Sequence, residues 1–164
     1  MVQSWMNSDS LYIKYGPDKA TAGKGGEYRG YTDLHEVQLK LDLTTLTQTE
    51  TIQSDSVFLP AGARIKEVET LTHTAAATGV AVDLGLIKAS DRSTEIDYDG
   101  LLAAIPTASM NAAGEKNIFS DNTTYDGALV GTTLAYTGMV SASATTSTAF
   151  TAGIIYVTIR YYMP

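Results

Sequence analysis

Apolar and polar side chains alternate along much of this chain. Val37, Leu39, Leu41 and Leu43 alternate with Gln38, Lys40 and Asp42. A period of two sends one row of side chains into a core and the other into solvent, as in a half-buried strand. The Thr-rich residues 44–51 continue it as strand or sheet edge. Ser56-Val57-Phe58-Leu59 predicts a short strand closed by Pro60 and Gly62. Residues 64–72 predict another, and Ile65 is out of phase with Val68, which places a β-bulge near Lys66. Residues 75–79 are small and read as a loop. Val80, Val82, Leu84 and Leu86 then resume the alternation. The run Gly100-Leu101-Leu102-Ala103-Ala104-Ile105 before Pro106 predicts a helix of two turns at most, with Asp99 as its N-cap. Residues 128–134, 139–144 and 153–162 predict three further strands. In the last, Ile155, Val157, Ile159 and Tyr161 face one way, and Tyr156, Thr158 and Arg160 the other.

About eight strands separated by turn signals, with almost no helix, predict an all-β fold. The expected architecture is an antiparallel two-sheet sandwich, jelly-roll-like. There is no solenoid-type repeat and no second-domain boundary within the sandwich. Residues 1–34 differ from the rest. Asn7, Ser8, Asp9, Gly16, Pro17, Asp18, Gly23, Gly25 and Gly26 are turn and loop formers. One β-like run, Leu11-Tyr12-Ile13-Lys14-Tyr15, interrupts them. The segment is too glycine-rich to build its own core, yet it holds Trp5, Met6, Leu11 and Ile13. It reads as an extended N-terminal arm, residues 1–34, on a sandwich body, residues 35–164. Its large apolar groups dock on the body or on another chain.

Composition narrows the function. The chain has 164 residues, 44% hydrophobic and 18% charged, with a net charge of −7. The apolar share suffices for a core, so wholesale disorder is not expected. The acidic balance argues against nucleic acid as the main partner, because phosphate binding needs a surplus of Lys and Arg. There are no cysteines, which excludes disulfides and thiolate metal sites. The first thirty residues hold no apolar run of the secretory type, and no stretch approaches the roughly 18 apolar residues of a membrane helix. A chain made in the cytoplasm, with no membrane partner, is expected.

Candidate chemistry is sparse. Glu95, Asp97 and Asp99 before Gly100 copy the first half of a calcium loop. The twelfth position from Glu95 is Pro106, which cannot ligate through its side chain, so the run reads as a solvated strand edge. The same carboxylates lack the signs of a glycosidase pair, which needs one raised pKa in a saccharide cleft. His35 and His73 are isolated and read as surface histidines. Gly23-Lys24-Gly25-Gly26 lacks the spacing of a P-loop. Asn122-Thr123-Thr124 reads as a polar loop. No cofactor, metal site or enzymatic activity is expected.

A resemblance gives the positive reading. Ser4-Trp5-Met6-Asn7-Ser8-Asp9-Ser10-Leu11-Tyr12-Ile13-Lys14-Tyr15-Gly16, with Gly25-Gly26-Glu27-Tyr28 after it, resembles the N-terminus of small virion proteins of tailed bacteriophages. Leu59-Pro60-Ala61-Gly62-Ala63-Arg64-Ile65 and the stretch from Asp91-Arg92-Ser93-Thr94-Glu95-Ile96-Asp97 to Gly100-Leu101-Leu102 resemble segments of the same proteins. The resemblance implies a capsid decoration, or cement, protein. Such proteins bind the outer surface of the virion head, commonly as trimers, and brace neighbouring major capsid protein subunits. It implies no catalytic residue.

The residues fit such a role on their own terms. An apolar arm can reach a neighbour and add to an exposed sheet edge. The expected interface residues are Trp5, Met6, Leu11, Tyr12, Ile13, Lys14, Tyr15, Tyr28 and Arg29. They join aromatic anchors to cations, with Lys19 and Lys24 nearby, that can steer docking onto an acidic surface. The competing reading is a glycan- or receptor-binding sandwich of a head fibre. Its binding platform would lie in residues 107–127 and 135–149, where Phe119, Tyr125 and Tyr136 are the aromatic side chains.

Overall fold

The computed structural model describes residues 4–6, 12–14, 33–49, 51–52 and 57–163. The chain falls into two units, residues 1–33 and 34–164. In the first, β1 (Ser4–Met6) pairs antiparallel with β2 (Tyr12–Lys14). The strands that follow are β3 (Asp33–Asp42), β4 (Thr51–Ile52), β5 (Phe58–Leu59), β6 (Arg64–Thr78), β7 (Ala81–Lys88), β8 (Glu95–Pro106), β9 (Lys116–Ser120), β10 (Gly138–Ala144) and β11 (Phe150–Met163).

These strands form two sheets. One has the order β3-β11-β6-β9, and the other β4-β10-β7-β8 with β5 also paired to β10. Counting β4 and β5 as one interrupted strand, the chain-order positions are 1-8-3-6 and 2-7-4-5. That is jelly-roll connectivity, so the expected all-β sandwich is the observed fold. The core lies between the sheets. Leu39 and Leu41 of β3, Ile65 and Val68 of β6, and Ile155, Val157 and Ile159 of β11 face Leu84, Leu86, Leu102 and Val140 across it. The bulge is where the phase change placed it. Ile65 pairs with Tyr161 and Glu67 with Arg160, which leaves Lys66 as the extra residue.

Four local expectations fail, three because a long-range partner outweighs a local signal and one because a local cap does. Residues 100–105 belong to β8, not to a helix. Leu102 pairs with Leu84 and Ile105 with Val82, and a short apolar run between Gly and Pro reads alike for a helix and a buried strand. Asp99 is therefore a strand residue and caps nothing. Residues 75–78 continue β6, because β11 extends far enough to pair with them. Residues 44–51 do not continue β3. Asp42 Oδ1 accepts the Thr44 N–H at 3.0 Å and starts a 3-10 turn over Leu43–Thr45.

Residues 128–134 are turns whose hydrogen bonds are divided between the sheets. The Leu129 N–H donates to Gly100 O of β8, while Ile65 N–H and Leu134 N–H bond to Thr132 O and Ala63 O at the start of β6. This segment laces the sandwich shut. β9 escaped detection because its five residues contribute one buried apolar side chain, Phe119.

β7 and β10 are buried on both faces, and at Gly85 close backbone approach takes the place of a side chain. The carbonyls of Asp97 and Tyr98 press on Gly85 so closely that a Cβ would collide with them. Opposite Asp83, the β7–β8 register slips by one residue between the Val82 and Leu84 pairs. Ala104 takes φ 52°, and its N–H donates to Asp83 Oδ1 at 2.7 Å. A buried carboxylate thus satisfies the amide of the bulge. Burial pushes the Asp83 carboxyl up; the Ala104 N–H opposes this and the Asp99 charge adds to it.

Because its folded pKa is raised, Asp83 costs stability as pH rises above the ordinary Asp range. Asp83→Asn keeps the acceptor and loses the charge. It is expected to raise the melting temperature at pH 7, with the gain vanishing at acid pH. Asp83→Ala leaves the bulge amide unpaired and is expected to cost about 1–3 kcal/mol. Thermal melts across pH measure both. Thr70 and Thr72 carry buried hydroxyls without a hydrogen-bond partner. Thr70→Val is expected to stabilise the fold by about 1 kcal/mol in denaturant titration.

Candidate interaction surfaces

Of the expected arm residues, Trp5, Met6, Tyr12, Ile13 and Lys14 lie in the β1–β2 pair. Its backbone register sets Trp5 opposite Ile13, Met6 opposite Tyr12 and Ser4 opposite Lys14. Two antiparallel strands of three residues are too little to be stable alone in water. Leu11, Tyr15, Tyr28 and Arg29, with Lys19 and Lys24, lie outside the described residues.

The body's most organised polar feature was not singled out from the sequence. It lies on the outward face of the β3-β11-β6-β9 sheet and centres on Arg160 of β11. The guanidinium donates from Nε to Glu36 Oε2 of β3 at 2.7 Å, and from Nη1 to Glu67 Oε1 of β6 at 2.8 Å. Nη1 also lies 3.0 Å from Glu69 Oε2, and Lys116 Nζ of β9 is 2.9 Å from Glu69 Oε1. One ion network therefore crosses all four strands. The three carboxylates hold Arg160 above its ordinary pKa. Burial raises the pKa of Glu69, but hydrogen bonds and charge from Lys116 and Arg160 outweigh it, so the net shift is downward. Gln38 Nε2 donates to Thr158 Oγ1 at 3.0 Å beside the network.

Apolar side chains border these ions. Leu71 and Ile118 are exposed on this face, next to the pairs Leu71–Lys116 and Glu69–Ile118 of the β6–β9 ladder. Both histidines are exposed, and each packs on a tyrosine. His35 stacks on Tyr161 at 5.3 Å, and His73 meets Tyr156 edge-on at 5.7 Å. The alternation along β11 did place Arg160 on the outward row. Its partners come from strands far away in sequence, and nothing local marks them.

The other sheet carries the carboxylates. Burial raises the Asp97 pKa, and the neighbouring Asp99 raises it further despite a backbone hydrogen bond. Among the described residues no group of three or more His, Cys, Asp or Glu could hold a metal ion. Asp91 instead folds its own turn, accepting from the Thr94 hydroxyl at 2.6 Å, Thr94 N–H at 2.8 Å and Ser93 N–H at 3.0 Å, and these bonds hold its pKa well below the usual range. A depression of about 270 Å³ is lined by Leu46, Thr47, Gln48, Thr146, Ser147 and Ala149, with no ionisable group.

Of the aromatic side chains of the glycan reading, Tyr125 and Tyr136 are exposed and Phe119 is not. Phe119 is in the core at 5% exposure. Tyr136 is exposed, and its ring is covered by Lys88 Nζ at 4.4 Å.

Removing the hub leaves the neighbouring carboxylates with lysines alone, Glu69 with Lys116 at 2.9 Å and Glu67 with Lys66 at 3.8 Å. Arg160→Met is expected to cost about 1–2 kcal/mol, the low end for charged hydrogen bonds because the network is partly solvated. Glu69, with its lowered folded pKa, contributes stability above the ordinary Glu range and loses it as pH falls. The acid limb of the stability–pH curve is therefore expected to flatten in the variant, as measured by urea titration across pH.

No protein-family model matches the chain, and no curated protein matches it. Solved structures do. One is a chain of the capsid of Ralstonia phage GP4, with a TM-score of 0.55 and 16% identity over 80% of this chain and 85% of that one. Another is a chain of the capsid asymmetric unit of cyanophage Pam1, with a TM-score of 0.50 and 17% identity over 90% of this chain and 97% of that one. At such identities the likeness is one of fold, and the jelly-roll body is the fold that this chain shares with chains of two phage capsids.

Proposed function

We propose that this chain is a structural virion protein, a cement or decoration protein of a bacteriophage head. The observation that carries the reading is the likeness of fold to chains of two phage capsids along 80% and 90% of this chain. In this reading the protein is made in the host cytoplasm and joins the outer surface of the head. There it bridges neighbouring copies of the major capsid protein and assembles with itself, as a trimer. It carries out no reaction.

Residues 1–34 form the arm and residues 35–164 the body. The arm supplies the anchors Trp5, Met6, Leu11, Tyr12, Ile13, Tyr15 and Tyr28, and the cations Lys14 and Arg29. The small β1–β2 pair supports this role, since so short a hairpin gains stability from packing against a larger surface. Many identical weak contacts around a shell add up to firm attachment without a tight single site. The net charge of −7 keeps the decorated particle soluble.

Deletion of residues 1–33 tests the arm. The truncated chain is expected to keep a β-type circular dichroism spectrum and to lose co-sedimentation with purified heads. Substituting Trp5 with Ala is expected to weaken binding by about 2 kcal/mol, the usual cost of a central aromatic anchor. A truncated chain that binds heads fully overturns the role of the arm. A full-length chain that ignores heads overturns the virion reading.

A further inference from the structure

We propose that β3 is a self-pairing edge, through which two copies of this chain join antiparallel about Gln38 into one continuous sheet. The inference starts from how the four sheet edges are managed. A long unpaired edge strand is a template for another strand, and folded proteins shorten, interrupt or cover such edges. The edge formed by β4 and β5 is split into two-residue pieces. The edge of β8 is covered, with Ala103 N–H donating to Tyr125 O and Leu129 N–H to Gly100 O. β9 has only five residues. β3 has ten, with no Pro and no Gly, and among the described residues only β11 pairs with it.

The side chains of β3 specify the occupant. His35 packs on Tyr161 and Leu39 and Leu41 are buried, so the odd positions face the core. Glu36, Gln38 and Lys40 are exposed on the outward row. Two copies paired antiparallel with Gln38 opposite Gln38 set Glu36 of each opposite Lys40 of the other. Opposite charges directly across a ladder are favourable, and like charges are not. Moving the register by one residue would set core-facing positions against outward ones. Moving it two residues either way removes both ion pairs, and one of these registers sets Glu36 against Asp42. The centred register also lays Leu39 over Val37, which is half-buried in the single copy. Glu36 binds Arg160 through Oε2, and its second oxygen remains for Lys40 of the other copy.

A copy with net charge −7 repels another, so association needs a surface that is locally complementary to itself. β3 supplies one. The contact is isologous, so each β3 edge takes one other β3 edge, and it is separate from the contacts that would build a trimer. It stands on the strand edges and charges of β3 and does not rest on the virion reading.

Solution mass of the full chain at low salt, by light scattering, tests it. The mass of the wild-type assembly is expected to be at least twice that of Lys40→Glu, which leaves the Arg160 contact intact. Glu36→Lys alone is expected to lose the pairing as well. Mixed, the two variants are expected to regain it, because the lysines of one chain then meet the carboxylates of the other. Amide exchange at residues 36–40 is expected to slow with protein concentration in the wild type and not in Lys40→Glu, which decides the matter if Glu36→Lys fails to fold. Equal masses for wild type and Lys40→Glu overturn the proposal, as they would if another part of the same chain covered β3. A mixture that stays unpaired overturns the charge register.

Discussion

The insertion of β11 between β3 and β6 is the pairing on which the rest of the body depends. It joins the last strand to the first and third strands of the sandwich, so the core cannot close until the ends of the body have met. The inward row of β11, Ile155, Val157, Ile159 and Tyr161, supplies apolar packing along the length of one sheet. The outward row supplies Arg160, which ties β3 to β6 through Glu36, Glu67 and Glu69. Core and surface are organised by the same strand. Contacts so remote in sequence make for slow folding, because loop-closure entropy is spent before they form.

Irregularities in the ladders have identifiable partners. The extra residue Lys66 lets β6 change phase between Ile65 and Val68 while both stay in the core. The slip opposite Asp83 leaves an amide that a buried carboxylate accepts. Gly85 yields its side chain so that the Asp97–Tyr98 backbone can approach. At Thr78, where φ is 54°, the side-chain oxygen accepts the Thr151 N–H and donates to Ala149 O, which holds a strained residue in place. These features lie on the interior strands β6 and β7, while three of the four sheet edges are short or covered and β3 is the long one.

The two functional readings concern different parts of the chain. In the proposed virion reading, attachment to a head falls to the arm, whose cations and aromatic groups suit an acidic partner surface. Two-fold pairing of copies is assigned to β3, whose outward row Glu36-Gln38-Lys40 is complementary in charge to its own reverse. A particle protein gains from separating the two, because copies can then meet one another without competing for the shell.

Much of the fold was legible in the sequence because a sheet repeats every two residues. The rows Val37-Leu39-Leu41 and Ile155-Val157-Ile159 announce strands with one buried face, and the break in phase after Ile65 announces a bulge. Charge, the lack of cysteine and the scarcity of catalytic constellations likewise follow from composition. Strand partners do not, because pairing joins residues that share no local signal. Residues 100–105 became strand through the β7 ladder, and residues 128–134 became a lace between sheets because their amides found carbonyls in both. Arg160 became a hub only when three carboxylates from two other strands were brought beside it. Alternation says which way a side chain points; the closing of the sandwich says what it meets there.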